Sequence, residues 1–247
     1  MWPSWEQTLL VFAAAFLEGS VGFDFGLIAA PALGAILGLR DAVILLSLPN
    51  LALGILRVSG WKIPLDPLRR LMPFIGAGGI GAAVGVFTLL ATPPIVLKWT
   101  VGILVLICAG YSFSKLRIQL DMRDEVFFAY LGGALSGWLS GLAYSGVPFI
   151  VIYLDSLEIN SSRMTKMMRV SVLTFAAVQV AALTGTGHLP LPAAVRAAMS
   201  VLPALAGFVL GRRIRGLLSP ALGYTVGLAL LVAAAISLLV FGPGGWR

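Results

Sequence analysis

Charged residues are scarce in this chain, and their scarcity argues against a soluble domain. Of the 247 residues only 11% are charged and 59% are hydrophobic, whereas about a quarter of the residues in a typical soluble domain carry a charge. Apolar runs recur along the sequence at about the 20 residues that a helix needs to cross a bilayer. We therefore predict an integral membrane protein embedded in a lipid bilayer.

Residues that build most catalytic and metal centres are also few. The chain has one cysteine and one histidine, which leaves no disulfide framework and no metal-binding spacing. Phosphate-binding and dinucleotide-binding motifs are missing from any suitable context, so we predict no enzymatic activity and no bound cofactor. The net charge of +7 comes from cations scattered over short loops between apolar runs. Membrane topology explains such cations better than a nucleic-acid partner does.

Two apolar stretches are interrupted by short glycine-containing segments. The first, residues 6–39, breaks at Glu18–Gly26, and the second, residues 126–157, breaks at Ala143–Gly146. A half-helix of about 13 residues covers about 20 Å, which is too short to cross alone. Each stretch is therefore expected to enter the membrane, turn near the midplane and leave by the same face. The alternative is a long kinked helix in which glycine only allows close packing.

The positions of the 17 lysines and arginines distinguish these alternatives. If each broken stretch crosses the membrane once, nine cations fall on one side and eight on the other. If each stretch turns back, thirteen fall on one side, and only Arg40, Lys98, Arg196 and Arg247 fall on the other. Such a bias is typical of a bacterial inner membrane protein whose basic loops are cytoplasmic. We predict that loops 57–70, 115–123, 163–169 and 212–215 are cytoplasmic in a prokaryotic cell membrane.

The two halves of the chain resemble each other weakly. At an offset of 126 residues, Pro64 matches Pro190, Arg70 matches Arg196, Gly81 matches Gly207 and Gly85 matches Gly211. We predict an all-α fold of two inverted repeats, each a re-entrant or broken hairpin followed by three transmembrane helices, as many transporters have. The first repeat is 1–114, with a hairpin at 6–39 and helices at 42–57, 71–91 and 95–113. After a cytoplasmic linker at 115–125, the second repeat is 126–247, with a hairpin at 126–157 and helices at 163–186, 193–211 and 220–241.

The hairpin tips are the predicted substrate site. A helix that starts at each tip presents unpaired N–H groups and partial positive charge, which suit an anion in a low-dielectric cavity. Asn50 and Gln179 lie at midplane depth in opposite halves and are expected to line the same cavity. The alternative for any of these residues is turn formation or helix packing. The candidate substrate-binding residues are Gly19, Ser20, Gly22, Gly26, Asn50, Tyr144, Ser145, Gly146 and Gln179.

Glu18 and Asp24 flank the first tip. Because an acidic side chain inside the membrane is costly, its presence there indicates a function. Either carboxyl could bind a proton that moves with or against the substrate, and coupling to a proton or a sodium gradient is open at this point. Alternatively, Glu18 pairs with a cation that the sequence does not identify, and Asp24 caps the following helix. Arg57 and Arg169 near the cytoplasmic ends could guide anions inward, or could simply reach the interface.

The first tip, residues 19–31, with the segment Ala42–Asn50 after it, resembles the TauE/SafE family of sulfite exporters. The second tip, Tyr144–Pro148 followed by Tyr153-Leu154, is similar to a Gly-Gly-Pro segment of that family. The resemblance covers nearly the whole chain and implies export or uptake of sulfite, sulfonates or other small oxoanions.

Together these features predict a secondary transporter, an exporter or permease, for a small anion such as sulfite or an organosulfonate. A homodimer is compatible with this prediction. The alternatives are an anion channel, a membrane scaffold that transports nothing, and a membrane-embedded enzyme.

Overall fold

The computed structural model describes residues 4–59, 65–114, 125–157, 161–215 and 220–242. These described residues form eleven α-helices, several of which are separated by only one to three residues. The helices are α1 (Trp5–Val21), α2 (Phe25–Leu37), α3 (Leu39–Val58), α4 (Leu65–Ala91), α5 (Pro94–Ser114), α6 (Glu125–Ala143), α7 (Val147–Ser156), α8 (Ser161–Gly185), α9 (Leu191–Met199), α10 (Val201–Ile214) and α11 (Pro220–Phe241).

The lengths of these helices confirm the predicted all-α membrane fold. Within the described ranges, five helical segments are long and apolar enough to cross a bilayer: Leu39–Val58, Leu68–Ala91, Glu125–Ala143, Ser162–Gly185 and Leu191–Ile214. Helices α2 and α7 have 13 and 10 residues, so at 1.5 Å per residue they span only about 20 Å and 15 Å. Neither can cross the hydrocarbon core alone.

The second broken stretch turns back on itself. Gly146, just before α7, packs against the carbonyl of Ser136 and the hydroxyl of Ser140 in α6. Gly132, earlier in α6, faces Tyr153, later in α7. Contacts that involve later residues of α7 involve earlier residues of α6. The two helices are therefore antiparallel and form a hairpin.

The first broken stretch also turns back. Asp24, before α2, approaches Arg57 at the end of α3, whereas Gly34, late in α2, packs on Leu39 at the start of α3. Helix α2 is therefore antiparallel to α3. Helix α1 is parallel to α10, which together with α9 packs along α3. Glu18, near the end of α1, lies beside Arg57, so α1 runs toward the end of α3 that carries Arg57, and α2 runs back.

The glycines that match at the offset of 126 residues occupy matching contacts. Gly81 and Gly85 of α4 lie against the backbone of α6, and Gly207 and Gly211 of α10 lie against the backbone of α1. In both pairs the two helices are parallel, because the contacting residue numbers rise together. Each half thus packs a glycine-bearing helix on the first helix of the other half, as a duplication would require. The duplication itself stays a prediction.

One segment expected as a single helix, residues 193–211, is divided into α9 and α10. Pro203 lacks the N–H group that would bond to the carbonyl of Met199, so the helix is interrupted immediately after Met199. The bonds from Ser200 N to Arg196 O (3.2 Å) and from Ala204 N to Ser200 O (3.3 Å) connect the two segments. The segment Leu191–Ile214 still has the length and hydropathy of one span.

The cations separate to the two ends of the bundle. One end, here called the basic face, carries the cations Arg57, Arg69, Arg70, Arg163, Lys166, Arg169, Arg212, Arg213 and Arg215. The opposite end carries Arg40, Lys98 and Arg196. Arg40 and Lys98 cap helix ends there: Arg40 donates to the carbonyl of Leu90 at 2.7 Å, and Lys98 donates to that of Gly242 at 3.0 Å. Lys62, Arg247 and the linker cations Lys115, Arg117 and Arg123 lie outside the described residues.

Candidate functional site

The tips of the two hairpins are in direct contact. A side chain built on Gly26, in the first turn of α2, would place its Cβ 2.5 Å from the Cβ of Tyr144 at the second tip. Only glycine allows this approach. Tyr144 itself has a φ of 58°, a left-handed conformation that is uncommon for residues other than glycine. Its hydroxyl donates to the carbonyl of Val43 in α3 at 3.0 Å, so the second tip is anchored to the first half.

A small cavity lies at this junction. Its polar lining comes from Asp24 at the first tip, Asn50 of α3, Ser140 and Tyr144 of the second hairpin, and Gln179 of α8. The rest of the wall is apolar and consists of Val147, Val172, Phe175 and Ala176. The free space is about that of one water molecule. Both hairpins, and the helices α3 and α8 that carry the two expected amides, therefore contribute to one cavity.

The two buried amides differ in how their polar atoms are used. Gln179 donates through Nε2 to the carbonyl of Gly141 at 3.1 Å, which fixes its amide against the end of α6. Asn50 is only 3% exposed, and its Oδ1 has no hydrogen-bond partner among the described residues. An unpaired buried oxygen costs free energy unless something binds it. Asn50 thus presents an open acceptor at the cavity.

The starts of α2 and α7 are not equivalent. Asp24 caps α2, since its Oδ1 accepts a hydrogen bond from Leu27 N at 3.2 Å, so a carboxylate of the protein already occupies this helix start. Gly146 precedes α7 without any side-chain cap, and Pro148 in the first turn contributes no N–H. The backbone N–H groups of Gly146 and Val147 are the donors that the second tip can offer to an anion.

Glu18 has a cation partner that the sequence alone did not identify. Arg57 Nε lies 2.6 Å from Glu18 Oε1, and Arg57 Nη2 donates to Glu18 Oε2 at 2.7 Å. The same guanidinium lies 3.8 Å from Asp24 Oδ2. All three side chains are almost entirely shielded from solvent. Arg57 therefore forms a buried ion pair instead of reaching the membrane surface, and Arg169 is close enough to interact electrostatically with Glu18 and Arg57.

Comparison with known protein families identifies a match along nearly the whole chain. The model of the family described as "Sulfite exporter TauE/SafE" matches residues 8–238, nearly the whole chain. The chain belongs to the TauE/SafE family. The resemblance seen in the sequence is thereby confirmed, and the family supports a multi-pass membrane transporter. No curated protein and no solved structure matches the chain significantly.

Several candidate residues of this TauE/SafE protein lie beside the cavity without lining it. Gly19 packs on the backbone of Phe208 and Arg212, and Ser20 bonds through its hydroxyl to the carbonyl of Leu17. Gly22 ends α1 with a φ of 88°. The hydroxyl of Ser145 donates to the carbonyl of Ala143. The structure gives these four residues packing and turn contacts, and their roles in substrate binding stay predictions.

Ser140 is a cavity residue that the sequence reasoning missed. It precedes Tyr144 by four residues in the last turn of α6, and Tyr144 N donates to the carbonyl of Ser140 at 3.0 Å, which keeps the two residues adjacent. That spacing was the available signal. The aromatic wall contributed by Phe175 had no such signal, because an apolar residue in an apolar helix does not show which side faces a cavity.

Proposed function

We propose that this TauE/SafE protein is a secondary transporter of a small anion, such as sulfite or an organosulfonate, bound between the two hairpin tips. The observation that carries the proposal is the convergence of both tips, Asn50 of α3 and Gln179 of α8 on one buried cavity. Broken helices that meet at such a place form the substrate sites of many transporters.

The second tip supplies the anion-binding groups in this proposal. The N–H groups of Gly146 and Val147 stand at the positive end of the α7 dipole, and the low dielectric around them strengthens their attraction for a negative charge. The hydroxyl of Ser140 adds a donor from the same hairpin. Ionised Asp24 opposes an anion on the other side of the cavity, so its charge must be compensated when the substrate binds.

The cavity must widen before it can hold the substrate. It has room for about one water molecule, whereas sulfite has one sulfur and three oxygen atoms. The contact between Gly26 and Tyr144 therefore belongs to a closed form, and substrate entry requires the tips to separate. Movement of one half against the other would expose the site to each side in turn, which is the behaviour of a carrier and not of an open channel.

The orientation and the approach of the substrate are part of the proposal. We place the basic face at the cytoplasmic side of a prokaryotic inner membrane, following the distribution of cations. Arg169, which is half-buried below this face, would draw anions toward the tips. Arg57 would hold the first tip through Glu18 and would not bind the substrate directly.

Flux through the purified protein in proteoliposomes tests this function. Uptake of sulfite, sulfoacetate, thiosulfate and small carboxylates is compared, and saturable uptake with exchange of internal for external anion is expected for at least one of them. Flux that does not saturate would indicate a channel. Absence of flux for all these anions would favour a scaffold or an embedded enzyme.

Gly26→Ala tests whether the contact between the tips matters for transport. The added methyl group would overlap Tyr144, so we expect the transport rate to fall at least about tenfold with normal membrane insertion. Gly110→Ala is the matched control, because a Cβ there would meet no described atom within 4 Å. Equal transport by both variants would contradict a substrate site at the tips.

A further inference from the structure

We propose that the cavity between the hairpin tips binds a sodium ion, which serves as the coupling cation of the transporter. The proposal deepens the proposed function, because it names the ion that compensates Asp24 at the same site. It rests on the chemistry of the cavity lining, on the charge of the surrounding side chains and on the size of the space.

The polar lining is rich in oxygen acceptors. Asn50 Oδ1 is buried and has no partner among the described residues, Asp24 contributes a carboxylate, and Ser140 and Tyr144 contribute hydroxyl oxygens. The amide of Gln179 donates through Nε2 to the end of α6, which leaves its oxygen as the remaining polar atom. Hard cations prefer oxygen ligands of these kinds.

The cations near the first tip neutralise the negative charge of Asp24 only in part. Glu18 takes both short contacts of the Arg57 guanidinium, and Arg169 interacts with Glu18 on the same side. Asp24 has a 3.8 Å approach to Arg57 and accepts backbone hydrogen bonds from Leu27 and Gly26 at the start of α2. A carboxylate that is largely shielded from solvent and has no short contact with a cation is costly. A cation in the cavity would remove this cost.

The size of the cavity selects among cations. Room for about one water molecule admits a dehydrated sodium ion, which is smaller than water, and excludes a hydrated ion or a large organic cation such as choline. Transporters with broken helices bind sodium at such sites, where polar side chains and helix ends supply the oxygens. With sodium beside Asp24, the negative charge that opposes an anion at the start of α7 is neutralised. Sodium binding and anion binding would then favour each other.

Thermal unfolding of the purified protein in detergent tests the site without any transported anion. Sodium chloride is titrated at constant ionic strength against potassium chloride and choline chloride. We expect a saturable rise of the unfolding temperature with sodium, and at least a tenfold weaker apparent sodium affinity in Asn50→Leu. Asn50→Asp keeps an oxygen acceptor and should retain sodium stabilisation, and Asp24→Asn should weaken it. Ser47→Ala is the control on α3, because Ser47 bonds locally to the carbonyl of Ile44.

Equal stabilisation of the wild type by all three salts would mean that the cavity holds only water and would overturn the proposal. So would an unchanged sodium affinity in both Asp24→Asn and Asn50→Leu. If Asn50→Leu does not fold, Asn50→Asp and Asp24→Asn still decide the question. Sodium stabilisation without anion flux would refute the proposed function but leave the site in place, whereas anion flux without sodium-specific stabilisation would refute the site alone.

Discussion

Arg57 joins three parts of the chain at a single side chain. It extends from the end of α3, pairs with Glu18 in α1 and approaches Asp24 at the start of α2. Because all three side chains are almost entirely shielded from solvent, water screens the interactions between their charges only weakly. The position of the first tip relative to α3 therefore depends on this one guanidinium.

Removing Arg57 should destabilise the protein strongly. In Arg57→Leu the Glu18 carboxylate loses its partner while it stays buried, which typically costs about 3 to 5 kcal/mol. Glu18→Gln/Arg57→Leu should recover a large part of this loss, because no unpaired carboxylate remains at position 18. Unfolding free energies of the single and double variants measure the coupling, with the exposed Arg69→Leu as control. Equal losses in the single and the double variant would show that the ion pair contributes little.

At the scale of single residues, the sequence predicted that some polar side chains are buried, but it did not predict the burial of Arg57 and Lys98 or most of the contacts that these side chains make. Glu18, Asn50 and Gln179 stand out because polar side chains are rare in apolar helices. Capping by Asp24 was one of two alternatives, and the structure shows that it occurs. The pairing of Glu18 with Arg57 could not be predicted, since 39 residues separate them and the rotation of α1 about its axis depends on its packing against α10.

Glycine determines which helices pack most closely. Gly133, Gly137 and Gly141 of α6 face α4, and Gly81 and Gly85 of α4 face α6, so the two backbones touch along several turns. In a membrane, helices associate through such packing because lipid offers no hydrophobic driving force between them. The pairs of α4 with α6 and of α1 with α10 therefore join the two halves of the molecule.

Two glycines of α4 should respond oppositely to the same substitution. In Gly81→Ala the new Cβ would overlap the carbonyl of Ala134 in α6, so we expect a loss of about 1 to 3 kcal/mol. In Gly76→Ala the Cβ would meet no described atom within 4 Å, and the better helix propensity of alanine should give a gain of up to about 1 kcal/mol. Thermal unfolding in detergent measures both variants. A neutral Gly81→Ala would mean that the two helices separate easily.

The breaks between elements were easier to predict than their exact ends. Apolar runs and glycine-rich interruptions indicated where the chain turns, and the count of cations favoured hairpins over single crossings. Helix α4 nevertheless begins at Leu65 and not at 71, because the charged segment around Arg69 and Arg70 continues the helix beyond the apolar run. The interruption at Ser200 depends on one proline, and many membrane helices accommodate proline without a break.

At the scale of the whole molecule, the positive charges are distributed unequally between the two ends of the helix bundle. Cations of the basic face lie mostly near helix ends, while Arg40 and Lys98 at the opposite end donate to carbonyls at or just after the ends of other helices. A cation at a helix C-terminus is stabilised by the helix dipole. These two residues therefore have a structural reason to lie on the side that is otherwise poor in positive charge.

The orientation of the whole molecule can be tested with single cysteines. Cys108 is buried, and Cys108→Ala provides the background. Asp41, exposed beside Arg40, and Arg163, exposed at the start of α8, lie at opposite ends of the bundle. An impermeant maleimide added to intact cells should label Asp41→Cys directly and should label Arg163→Cys only after lysis. Arg69→Cys, at the basic face, should behave like Arg163→Cys. Labelling of Asp41→Cys and Arg163→Cys from the same side would exclude two hairpins entering from opposite faces, because that arrangement requires an odd number of crossings between these positions.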